Sequence, residues 1–144
     1  VLSACKSLNL PVCISGYPQD EEYYNKCLAV GYGDVRKESD KRSLCDLLNE
    51  TRLYVCASDV EVCSASVSEA IACGCKVLSS EKYHPGNSNF TKSGYFTYQD
   101  DLQNALEVAY HSNQVQENDF WTPAMLASAY HKAFMKITKK CKCF

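Results

Sequence analysis

The 144-residue chain has no apolar run approaching the ~20 residues that a bilayer-spanning helix needs, so no such span is expected. It also lacks a strong charge of either sign. Fifteen basic residues against 17 acidic ones leave a net charge of −2, which excludes a global basic field of the kind that advertises nucleic-acid binding. No internal repeat and no low-complexity segment interrupts it. The opening residues, Val1-Leu2-Ser3-Ala4-Cys5-Lys6, have neither a charged n-region nor an apolar h-region, and the expectation is that they are not a signal peptide. No Met opens the chain, so it is expected to be an excised domain or a processed product. No carboxylate-rich metal motif, phosphate loop or acidic cluster at strand ends is found, which argues against a flavodoxin-like response or cofactor domain.

What is present is the composition of a soluble globular protein, 46% apolar and 22% charged, with length enough for one domain and its core. Ten cysteines form an even set, which raises the alternative of a disulfide framework. Against that alternative, Cys13 and Cys56 fall in predicted buried strands, and Cys45 and Cys73 on predicted helices, where a free thiol behaves as a small hydrophobe. Cys73-Gly74-Cys75 and Cys141-Lys142-Cys143 are poor zinc spacings, with only His84, His111 and His131 to add. Reduced structural thiols and no metal are therefore expected. Asn49-Glu50-Thr51 and Asn89-Phe90-Thr91 fit a glycosylation sequon of a kind that arises often by chance.

Short strands and helices alternate along the chain. Residues 1–8 read as a helix end, Pro11–Ser15 as a strand and Gln19–Ala29 as a helix opened by acids that suit its positive end. Val35 marks a short strand, Asp40–Leu48 an amphipathic helix, and Arg52–Ala57 a strand. Val67–Cys73 follows as a helix stopped by Gly74, then a strand at Lys76–Ser79 and a loop over Glu81–Ser93. A strand at Tyr95–Tyr98, a helix at Asp100–His111 and a long helix at Pro123–Lys140 complete the pattern. Tyr23, Tyr24, Tyr110 and Tyr130 sit at helical positions suited to half-buried packing. Alternation of this kind predicts an α/β fold with a parallel sheet and right-handed crossovers.

The most informative local feature is a pair of acids, Glu61 and Glu69, eight positions apart and running into Ala70-Ile71-Ala72-Cys73-Gly74. One carboxylate lies in the loop after a strand and the other on the next helix. Both can face the carboxyl edge of a parallel sheet, where open α/β sheets bind ligands. Two fixed acceptors there suit a polyhydroxylated ligand. Gly16 follows a strand and allows close backbone approach, Arg36 follows the short strand at Val35, and Ser64, Ala65 and Ser66 can offer N–H groups to phosphate at a helix start. Arg36 also lies in the mixed run Arg36-Lys37-Glu38-Ser39-Asp40-Lys41-Arg42, and a plain surface charge is the stronger reading of it. His84 lies in the loop after the fourth strand and reads as solvated.

The Glu-x7-Glu pattern running into Glu-Ala-x-Ala-Cys-Gly resembles the donor-binding domain of retaining GT-B glycosyltransferases of the glycosyltransferase 4 type. Leu8–Gly16 is similar to that family's strand ending in glycine, and Leu47–Val55 to its helix-to-strand segment. Gly94-Tyr95-Phe96 with Asp100-Asp101-Leu102 resembles its closing strand and helix, so the likeness covers about residues 1–111. The resemblance implies a Rossmann-like parallel sheet flanked by helices, the C-terminal half of a GT-B fold, over residues 1–121. Residues 122–144 then form a C-terminal helix and basic tail. It implies that Glu61 lies by the transferred sugar as the catalytic carboxylate and that Glu69 binds the ribose hydroxyls. Gly16, Arg36, Ser64, Ala65 and Ser66 border the rest of a UDP- or GDP-sugar, and no metal is expected. The expected acceptor is unidentified, whether glycan, lipid or protein, and the expected location is cytoplasmic, with peripheral membrane association allowed.

Two departures accompany the resemblance. Cys63-Ser64 stands where most such enzymes have Phe-Gly. The chain also begins after the family's first strand of this domain, so the Arg and Lys of the diphosphate clamp and the acceptor-binding domain fall outside it. A companion chain or missing domain would have to supply them. The alternative reading is a catalytically inactive glycosyltransferase-like module for binding or assembly.

Overall fold

A computed structural model describes residues 1–37, 40–58, 65–82 and 94–115. Its elements run α1 (Leu2–Ser7), β1 (Cys13–Ser15), α2 (Glu21–Ala29), β2 (Asp34–Arg36), α3 (Lys41–Glu50), β3 (Leu53–Cys56), α4 (Ala65–Ala72), β4 (Lys76–Ser80), β5 (Tyr95–Tyr98) and α5 (Leu102–His111). This is the alternating order predicted from the sequence. The helix predicted at Pro123–Lys140, Tyr130 and most of the loop at Glu81–Ser93 lie outside the described residues.

Local chemistry sets the helix starts. The Asp20 carboxylate accepts from the N–H groups of Glu22 and Tyr23, Asp40 from those of Arg42 and Ser43, and Asp101 from that of Asn104. Each satisfies donors that a first turn leaves without intrahelical acceptors. Gly74, at φ +82°, ends the α4 segment in the left-handed region that glycine tolerates best. α4 begins at Ala65, two residues before the predicted start, and Cys73 falls just past its end.

All pairings are parallel. β1 pairs with β2 (Cys13 with Asp34, Ser15 with Arg36). β4 lies between β3 (Leu53 with Lys76) and β5 (Val77 with Tyr95). The expected single sheet is thus two, ordered β1-β2 and β3-β4-β5, because among the described residues no strand joins β1 to β3. Every residue of β4 is buried, as a central strand covered on both faces should be.

One core layer places Cys5 and Leu10 with Leu78 and Leu106, and draws in Val12, Leu53, Val55 and Phe96 from both sheets. The opposite face of β3 and β4 packs Cys56 and Val77 against Val67 and Ile71 of α4. Leu48, Ala70 and Cys75 complete that side. The result is an α/β arrangement of parallel sheets flanked by helices, compatible with a Rossmann-like fold. No helix among the described residues is long and apolar enough to cross a membrane.

Candidate functional site

α4 is a small, sharply two-sided helix that follows β3 in the chain and packs on the face of β3 and β4. Val67, Ala70 and Ile71 are all but fully buried, at one helical face. Ala65, Ser66 and Glu69 fall on the opposite, exposed face. Spacings of three and four residues make these three neighbours on the helix surface. Ala65 and Ser66 occupy the first turn, where the helix dipole is positive. Glu69 sits one turn on, and its carboxylate is close enough to Cys73 to help burial and Cys45 hold that thiol above its ordinary pKa.

A second group forms at the end of β1. Gly16 is exposed, at φ +154°, and a Cβ there would meet no neighbouring atom. A side chain would therefore be opposed by backbone conformation and not by crowding. Its N–H donates to the Arg36 carbonyl oxygen at 3.3 Å, which ties it to the end of β2. The Arg36 guanidinium is exposed and pairs with Asp34 at 2.7 Å. The Cys13 thiol reaches the same Asp34 carboxylate at 4.0 Å, and these neighbours hold the guanidinium pKa above its ordinary value, the Cys13 contact most of all. Arg36 is thus a surface charge already engaged with a carboxylate.

The described candidates therefore assemble as two groups, Ala65–Ser66–Glu69 on α4 and Gly16–Arg36 at the ends of β1 and β2. Glu61, Ser64 and His84 lie outside the described residues. No family model, curated protein or solved structure matches the chain. All seven described cysteines are free thiols. Cys13 is only half-buried, contrary to the expectation of a buried strand position; among the described residues β1 pairs with β2 alone. Tyr23, expected to be half-buried, is 66% exposed, because α2 buries none of its residues. Tyr24 and Tyr110 are half-buried as expected, beneath Lys37 and Arg52 respectively. Among the described residues no cluster of three or more His, Cys, Asp or Glu side chains is placed to hold a metal ion.

Sequence reasoning missed one feature altogether. Lys76, on β4, is 5% exposed, and its ammonium donates to the carbonyl oxygens of Ala109, Tyr110 and Ser112. It closes the C-terminus of α5, where the carbonyls lack intrahelical donors. Burial, assisted by the like charge of Arg52, holds its pKa below 10.5. A lysine opening an apolar strand was the available signal, but only the fold brings α5 to it.

Proposed function

We propose that this chain is the nucleotide-sugar-binding part of a retaining glycosyltransferase of the GT-B type. The reaction moves a hexose from a UDP- or GDP-sugar to an acceptor hydroxyl with retained anomeric configuration. The observation that carries the reading is the exposed carboxylate of Glu69, one turn into the helix that follows β3, on the same face as Ala65 and Ser66.

In this reading Glu69 accepts hydrogen bonds from the ribose hydroxyls. The start of α4, with Ser64, Ala65 and Ser66, faces the diphosphate, where backbone N–H groups and the helix dipole stabilise the departing anion. Glu61 lies beside the hexose and stabilises an oxocarbenium-like transition state. Gly16 permits close approach of the nucleotide, and Arg36 borders its base. The proposed location is cytoplasmic, peripheral to a membrane where the acceptor is a lipid.

Calorimetric titration with UDP, GDP and their hexose conjugates tests this. Saturable binding of one nucleotide is expected, weakened roughly 10- to 100-fold in Glu69→Ala, the worth of hydrogen bonds to a charged acceptor. Because Glu69 is exposed, the substitution should leave the fold intact, with stability changed by less than ~0.5 kcal/mol. Binding that Glu69→Ala leaves unchanged overturns the assignment. Failure of every nucleotide to bind supports a second reading, an inactive binding or assembly module, which the Cys63-Ser64 replacement of Phe-Gly favours.

A further inference from the structure

α3 and α4 meet at a cluster of thiols. Leu48 of α3, Ala70 of α4 and Cys75 are buried together, with Leu44 and Cys73 packed against them. Cys45 lies on α3 three residues before Leu48, a spacing that makes the two neighbours on the helix surface. Cys73 stands at the C-terminus of α4, its N–H donating to Glu69 O at 3.0 Å. The Cys73 thiol lies within hydrogen-bonding reach of the Cys45 thiol. Two sulfurs from separate elements thus come together at the margin of a packed interface.

The thiols of this cluster differ in their surroundings. That of Cys75 is 1% exposed and donates to Leu48 O at 3.1 Å, so it faces inward and is already engaged. Cys73 is half-buried. Burial first, then the nearby Cys45 and Glu69, hold its proton more firmly than usual. Cys45 is exposed, the only exposed thiol among the seven described. The side-chain amide of Asn49, one turn on, donates to its sulfur at 3.5 Å and orients it. An exposed thiol backed by a sheltered one is the arrangement in which an oxidised sulfur is captured before it oxidises further.

A metal suits the pair less well. Zinc takes four ligands at a structural site, and among the described residues no group of three or more His, Cys, Asp or Glu side chains is placed to hold an ion. A disulfide needs only two sulfurs. The other described thiols are worse placed for one. Cys5 and Cys56 are buried, and the Cys13 thiol reaches a carboxylate, that of Asp34.

We propose that Cys45 and Cys73 are a peroxide-oxidised pair that closes reversibly to a disulfide, tying α3 to the end of α4. The Cys45 thiolate attacks one oxygen of hydrogen peroxide, the O–O bond breaks, and Cys45 becomes a sulfenic acid while hydroxide departs. The Cys73 sulfur then attacks the sulfenic sulfur. The S–O bond breaks, and the departing hydroxide takes the Cys73 proton and leaves as water. The first hydroxide takes up the proton that Cys45 had lost, so two thiols and one hydrogen peroxide give one disulfide and two waters. A dithiol reductant reverses the closure by thiol–disulfide exchange and is itself oxidised. Cys75, engaged with Leu48 O, takes no part. The inference does not depend on the glycosyltransferase reading.

The test treats the folded full chain at neutral pH with hydrogen peroxide, alkylates the remaining thiols with iodoacetamide, and maps the peptides without reductant. A cross-link is expected between tryptic peptides 43–52 and 53–76, placed by fragmentation at Cys45 and Cys73, with a loss of ~2 Da for the two hydrogens removed. A dithiol reductant should restore both thiols. Cys45→Ser and Cys73→Ser should each abolish the cross-link, whereas Cys27→Ser should keep it. In Cys73→Ser, further peroxide should carry Cys45 on to the sulfinic acid, because nothing captures the sulfenic acid. Four results overturn the proposal. They are no oxidation of Cys45, a disulfide that joins Cys45 to any cysteine other than Cys73, a disulfide between chains whose yield rises with chain concentration, and sulfinic acid at Cys45 of the unsubstituted chain without a cross-link.

Discussion

Cys75 and Lys76 are adjacent, both nearly inaccessible, and respond to alkali in opposite directions. The Cys75 thiol donates to Leu48 O at 3.1 Å, and burial first, then the neighbouring Cys73, pushes its pKa from 9.0 to about 11. Between those values the folded thiol keeps a proton that the unfolded one has lost. The unfolded state binds fewer protons there, so stability falls as pH rises through the window, by ~2–3 kcal/mol for a shift of this size. Lys76 has its pKa lowered from 10.5, so the unfolded ammonium keeps a proton that the folded one releases, and its contribution rises over the same region. Thermal unfolding across this range should show a steeper alkaline loss in the wild type than in Cys75→Ala. Equal slopes would refute the assignment to Cys75, whatever the variant's stability at neutral pH.

At the scale of the element, similar caps should have different consequences. The Asp20 carboxylate accepts from two N–H groups of α2, at 2.9 and 3.1 Å, and Asp101 from one of α5, at 2.9 Å. α2 buries no residue, and its Glu22–Lys26 pair is exposed on both sides, so little of the core depends on it. α5 buries Leu106 and Ala109 and is held to β4 by Lys76. Asp101→Ala should therefore lower global stability by ~1 kcal/mol, read by chemical denaturation. Asp20→Ala should instead speed amide exchange over Glu21–Ala29 with little change in the global midpoint. A larger global loss from Asp20→Ala would show that α2 is more tightly docked than its exposure indicates.

For the whole molecule, the proposed reading has a strict consequence. Sugar transfer in a GT-B enzyme takes place in a cleft between two domains, and the proposed reading makes this chain one wall of that cleft. The chain by itself should bind its nucleotide yet release no hexose from UDP- or GDP-hexoses, measured by product formation with and without simple glycoside acceptors. Robust transfer by the chain alone would sink the assignment of an incomplete cleft.

The alternation of elements was legible along the chain because its signals are local. Asp20, Asp40 and Asp101 stand before helices, Gly74 stands after one, and apolar periodicity marks Leu44, Leu48, Val67 and Ile71 as inward. Glu69 is expected on this last helix, but Ser66 lies ahead of its predicted start at Val67, and the structure extends the helix to Ala65 and so puts the two on one face. Other features depend on contacts between distant segments. The core that draws Val12 of one sheet together with Leu53, Val55 and Phe96 of the other joins segments far apart in the chain, so what reads as one sheet is two among the described residues. The capture of the α5 C-terminus by Lys76 spans more than 30 residues and leaves no local trace. Neighbouring residues determine helix, strand and cap, because those interactions lie within a few positions. Which strands pair and which charge is buried is settled only when remote elements close on one another.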